Sequence, residues 1–100
     1  MNDTIYRYHF ASHVPLEDIE SSLLLALWGA ESLYGEAQVA LDGSYQLDPD
    51  KRACVIDART PVGRDLSRLF SGFLRREFGP DGFRVERVEA STYQPELAHS

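Results

Sequence analysis

Residues 37–58 read AQVALDGSYQLDPDKRACVIDA, and the fold turns on how this stretch is parsed. Ala37, Val39, Leu41, Gly43, Tyr45 and Leu47 alternate with Gln38, Ala40, Asp42, Ser44, Gln46 and Asp48. A period of two running through a glycine predicts one long strand, bent or bulged at Gly43. A hairpin turn at Asp42-Gly43 competes with that parse. A turn at Asp48-Pro49-Asp50-Lys51 is preferred, because it keeps both flanking runs in register. Leu47 then faces Arg52, Tyr45 faces Cys54, Gly43 faces Ile56 and Leu41 faces Ala58, so apolar meets apolar on one face. In this register Asp42 falls opposite Asp57 on the outward face. Arg7 of the first strand is the expected neutralising base, in preference to a bound cation.

Outward from this stretch the periods are simpler. Thr4 to Phe10 alternates Tyr6, Tyr8 and Phe10 with Arg7 and His9, which predicts a first strand. Pro15 suits a helix start, and Glu17 and Asp18 place anions in its first turn. Leu16, Ile19, Leu23, Leu27, Ala30 and Tyr34 then form a helical stripe that stops at Gly35. Thr60 and Pro61 open a second helix with Val62, Leu66, Leu69, Phe70, Phe73 and Leu74 on its apolar side, and Gly79-Pro80 closes it. Phe83, Val85 and Val88 mark a last strand that changes face between the two valines. Leu23, Leu27, Leu66, Leu69, Phe70 and Phe73 are the expected core.

The order is strand, helix, strand, strand, helix, strand. Two right-handed strand–helix–strand units interleave most simply into a four-stranded antiparallel sheet with two helices on one face. The predicted class is therefore α+β, in the ferredoxin-like βαββαβ arrangement, a topology that hosts many unrelated functions. Residues 1–89 are expected to form a single domain and residues 90–100, which show no periodicity, a flexible C-terminal tail.

Composition narrows the class of function. The 100 residues are 43% hydrophobic and 26% charged, enough for one core and an ordinary soluble surface. The longest apolar run, Leu23 to Trp28, is far short of the roughly 18 residues a membrane span needs, and the first residues lack a signal-peptide pattern. A single cysteine, Cys54, excludes an intramolecular disulfide framework and points to the cytoplasm. A net charge of −6 disfavours nucleic acid and anionic membranes as partners. Charge is graded, however. Residues 1–36 carry six acids and one base, whereas residues 59–87 carry seven arginines and four acids.

No residue pattern assigns a catalytic group, a cofactor or a metal. His9, His13 and His99 lack zinc-site spacing, and Cys54 alternates inward, away from any base. Tyr6, Tyr8 and Phe10 suit a core face better than a base-stacking platform, given the acidic balance. Arg59, Thr60, Gly63 and Arg64 surround the start of the second helix, where free N–H groups and two guanidinium groups can hold a small anionic ligand. The duller account is that Gly63 permits close packing against a strand while Thr60 simply caps the helix.

The first helix carries the anomaly. Leu24, Leu25 and Trp28 fall off its buried stripe, on the side shared with Glu17, Ser21 and Ser32. A monomer has no use for such a patch, and tryptophan is enriched at interface centres. The expected function is a small non-catalytic interaction module that self-associates or binds a protein partner through Leu24, Leu25 and Trp28. The alternative is a ligand-binding or enzymatic domain holding an anion at the second helix.

Overall fold

The computed structural model describes residues 4–89. Its elements run β1 (Thr4–Phe10), α1 (Leu16–Tyr34), α2 (Glu36–Asp42), β2 (Tyr45–Asp48), β3 (Ala53–Asp57), α3 (Pro61–Phe78) and β4 (Phe83–Glu89). The strands form one antiparallel sheet in the order β2-β3-β1-β4. Among the described residues the architecture is mixed α+β with three helices. Residues 90–100, expected as a tail, lie outside the described residues.

Two expectations are corrected. Residues 37–42 belong to a third helix, α2, and only Tyr45–Asp48 of the expected long strand is extended. Glu36, Ala37, Gln38, Ala40 and Leu41 are all good helix formers, and that preference outweighs their accidental alternation. The alternation had no sheet face to serve, since Val39 alone is buried and Leu41 is exposed. Gly35, at φ 86°, breaks the chain direction between α1 and α2. Gly43 caps α2, and a Cβ there would meet the Val39 carbonyl oxygen at 2.7 Å.

The hairpin register also differs. The β2–β3 turn occupies Pro49–Arg52, so Leu47 pairs with Cys54 and Tyr45 with Ile56. This slip of two residues preserves which side chains face inward. Arg52 closes the turn at φ 50°, and its side chain donates to the Ala11 carbonyl at 2.8 Å and to that of Val14. Those bonds hold an unfavourable backbone conformation in place by tying the hairpin to the β1–α1 connection. The expected Asp42–Asp57 pair does not exist. The Asp42 carboxylate accepts from Gln38 within α2, and Arg7 ion-pairs with Glu86 at 3.3 Å.

Alternation along β1 turns Tyr6, Tyr8 and Phe10 toward the helices, where Tyr8 lies between Cys54 and Val85 in the sheet. Ile19, Leu23 and Ala26 of α1 and Leu66, Phe70 and Leu74 of α3 close over that face. The Tyr8 ring meets Phe70 edge-on at 5.0 Å, and Phe10 meets Phe70 at 6.2 Å. Burial of each large apolar side chain contributes about 1.5–3 kcal/mol, so this layer dominates stability. Leu23, Leu66 and Phe70 are buried as expected, while Leu27, Leu69 and Phe73 are partly buried at the core margin. Ala30, Val39 and Val62 form a smaller cluster that seats α2 against α1 and α3. Val85 and Val88 point to opposite faces of β4 without a bulge. No helix of the described residues is long and apolar enough to cross a membrane.

Candidate functional site

Three places on this frame hold the candidate groups. The first is the start of α3. Thr60 caps it: its hydroxyl accepts from the Gly63 N–H at 3.0 Å and donates to the Asp42 carbonyl at 2.8 Å. Gly63 is buried against the end of β3, where a Cβ would sit 1.9 Å from the Asp57 carbonyl oxygen. The Arg59 guanidinium grips the Asp57 carboxylate with Nη2 to Oδ2 at 2.6 Å and Nε to Oδ1 at 2.9 Å. This clamp holds the Asp57 carboxyl below its ordinary pKa, the Arg59 hydrogen bonds outweighing the opposite effect of burial. Arg59, Thr60 and Gly63 thus serve each other and β3. Arg64 points elsewhere.

The second place is a cleft of about 370 Å³ between α3 and the β1–β4 side of the sheet. Tyr6, Tyr8 and Val85 line it from the strands, and Arg64, Ser67, Arg68 and Ser71 from the helix. At 100° per residue these four helical positions span an arc of about 100°, a polar strip beside the buried stripe of α3. The Tyr8 hydroxyl forms the floor. It donates to the Ser67 carbonyl at 3.1 Å, and it also contacts the Ser67 hydroxyl and lies 2.8 Å from that of Ser71. Burial raises its pKa, so this hydroxyl keeps its proton. Among the described residues the Arg64 guanidinium has no hydrogen-bond or ion-pair partner. Arg68 makes one exposed contact with Asp65, at 3.4 Å, and the other Asp65 oxygen accepts from Tyr34 at 2.5 Å.

The third place is the outer face of α1. Leu24, Leu25 and Trp28 are 45%, 48% and 55% exposed. With Leu24 at 0°, Trp28 lies near 40° and Leu25 near 100°, whereas Ile19, Ser22, Leu23, Ala26 and Ala30 centre near 215° on the buried side. The three large side chains therefore point almost directly away from the core. Ser21 and Ser32 flank them, each hydroxyl donating to the carbonyl four residues earlier at 2.9 Å. Glu17, Glu20 and Glu31 rim the patch, and α1 carries no base.

Sequence reasoning singled out Arg64 and the α1 trio but passed over Tyr6, Ser67, Arg68 and Ser71 as one site. The polar strip on α3 is visible in the sequence, yet only the sheet topology reveals which strand lies beside it. His9 meets Glu86 at 3.2 Å on the far face of the sheet, and Cys54 is buried. No group of three or more acids, histidines or cysteines among the described residues is placed to hold a metal. No protein-family model, curated protein or solved structure matches the chain.

Proposed function

We propose that this chain is a small non-catalytic interaction module that pairs with a second copy of itself through the outer face of α1. The observation that carries the proposal is Leu24, Leu25 and Trp28 standing together opposite the core. Solvating three large apolar side chains has no folding benefit, and a two-fold contact uses the same patch twice. Charge placement is compatible with a copy as the partner. An antiparallel pairing centred between Leu24 and Trp28 sets Leu24 against the partner's Trp28, Ser21 against the partner's Glu31 and Glu20 against the partner's Ser32. Glu20 and Glu31 then face serines, Glu17 falls opposite Gly35 beyond the end of the partner's helix, and no rim acid faces another acid. The serines, whose hydroxyls are already bonded to their own helix, leave a flat surface for close approach.

The frame under this surface is proposed to be ferredoxin-like, elaborated by α2. Support comes from two β–α–β units interleaving into a β4-β1-β3-β2 sheet, with α1 and α3 packed on its one face. The lone buried thiol of Cys54 supports a reducing, cytoplasmic setting.

The test is light scattering coupled to size exclusion over about 10–200 µM protein, the range where an interface of this modest size associates. The wild type should run at twice the mass of one chain at the upper end. Leu25→Asp should run as a folded monomer, its dimer weakened at least about tenfold, or 1.4 kcal/mol. A wild type that stays at the mass of one chain at every concentration refutes the proposal.

A further inference from the structure

We propose that the cleft between α3 and the β1–β4 side of the sheet binds a phosphate monoester carried on a small ring, independently of the α1 surface. The lining is charged one way. Arg64 and Arg68 stand one helical turn apart at the mouth, and no carboxylate lines the cleft, although the chain as a whole has a net charge of −6. Helical geometry sets the two residues about 6 Å apart along the axis, a spacing that one tetrahedral dianion bridges through two guanidinium groups. Arg64 is uncommitted and Arg68 is held only at its edge by Asp65. The Arg64 guanidinium has no hydrogen-bond or ion-pair partner among the described residues, and Arg68 makes one 3.4 Å contact with a half-buried Asp65 whose second oxygen is held by Tyr34.

The hydroxyls behind the arginines form one network centred on Tyr8. Tyr8 directs its own proton to the Ser67 carbonyl, an atom that only accepts. The Ser67 and Ser71 hydroxyls, both within hydrogen-bond distance of the Tyr8 oxygen, then donate to it and present their lone pairs to the cleft. On α1, by contrast, the exposed Ser21 and Ser32 give their protons to backbone carbonyls of their own helix. The walls supply the rest of the ligand's complement. Tyr6 offers an aromatic ring and Val85 an exposed apolar side chain on the helix-facing side of β4, beside which a ring can lie. A volume of about 370 Å³ accommodates a single-ring compound, within the usual range of small-molecule sites. A carboxylate uses fewer of the arginine donors than a phosphate does, so the head group is assigned as phosphate.

The experiment follows amide chemical shifts of the full chain during titration with phenyl phosphate, benzoate and inorganic phosphate, each to about 20 mM. Phenyl phosphate should give saturable shifts at Tyr6, Ser67, Arg68, Ser71 and Val85, with a Kd of about 1 mM or below. Inorganic phosphate and benzoate should each bind several-fold more weakly. Arg64→Gln combined with Arg68→Gln changes only exposed side chains, and should weaken phenyl phosphate about tenfold while leaving the spectrum of a folded domain. Raising the salt in the wild type should weaken binding in the same sense. Shifts that never saturate, or an affinity unchanged in the double variant, would overturn the site. Benzoate binding as tightly as phenyl phosphate would overturn the assigned head group, and inorganic phosphate doing so would overturn the ring wall.

Discussion

Replacing Gly63 with alanine adds a single methyl group inside α3, and two physical effects oppose each other. Helix propensity alone favours alanine over glycine by about 1 kcal/mol. The packing reverses the sign. The new Cβ would lie 1.9 Å from the Asp57 carbonyl oxygen, 3.0 Å from its carbon and 3.2 Å from the Thr60 hydroxyl. Two of these three atoms are backbone, so the first turn of α3 must retreat from β3 by more than an ångström. The retreat also loosens the Thr60 cap, whose bonds to Gly63 and Asp42 measure 3.0 Å and 2.8 Å. Overpacking costs about 1–3 kcal/mol and loss of a cap about 1 kcal/mol. Net of the propensity gain, Gly63→Ala should lose about 2 kcal/mol. Gly72 lies on the same helix with nothing within 4 Å of its Cβ position. There the propensity gain stands alone, and Gly72→Ala should gain up to about 1 kcal/mol. Urea unfolding followed by circular dichroism, with a shared slope, resolves a gap of this size, and melting temperatures should move in opposite directions. Gly63→Ala at or above wild-type stability would refute the close approach of α3 to β3.

Two further predictions concern ionisable groups. Burial pushes the Cys54 thiol up to about 12, so it should resist alkylation near pH 8 in the native state and react only as fast as the domain unfolds; rapid native labelling would expose an opening beside β3. The unfolded thiol ionises near about 8.5, so between the two values the native state holds more protons and stability should fall as pH rises. The Asp57 carboxyl is depressed by the Arg59 clamp, so its contribution is present above the unfolded value of about 3.9 and is lost as pH falls through the folded one. In Arg59→Ala a carbon-detected titration should show the Asp57 pKa rising toward the unfolded value, and an unmoved pKa would show that the clamp is not its cause.

The sequence discloses some of this architecture readily and some not at all. Strand β1 and helices α1 and α3 are legible because their periods coincide with a buried face, as the burial of Tyr8, Leu23 and Leu66 shows. The exposed α1 trio is legible for the same reason, since a regular helix fixes the angle of every residue. Residues 37–42 mislead because four helix formers happen to fall in an alternating pattern, and over six residues a helical and an extended period predict similar patterns. The hairpin misleads more gently. A non-glycine residue, Arg52, takes the left-handed position that closes the turn, held there by carbonyls of the β1–α1 connection that no local pattern announces. The cleft depends on which strand lies at the sheet edge beside Arg64 and Ser71. That is a consequence of topology, and it has no signature in either segment alone.

Trp28 is the single tryptophan of the chain and lies at the proposed contact, so its fluorescence reports the self-association directly. The measurement is the emission spectrum across a dilution series, with Leu25→Asp run alongside. In a lone protomer the indole is 55% exposed and should emit as a solvated ring. In the dimer it packs against the partner's Leu24, and emission should move to shorter wavelength. The expected result is a shift to longer wavelength on dilution, tracking the loss of dimer mass, with Leu25→Asp solvated at every concentration. Emission from a solvated ring that does not change with concentration in the wild type would contradict self-association through α1.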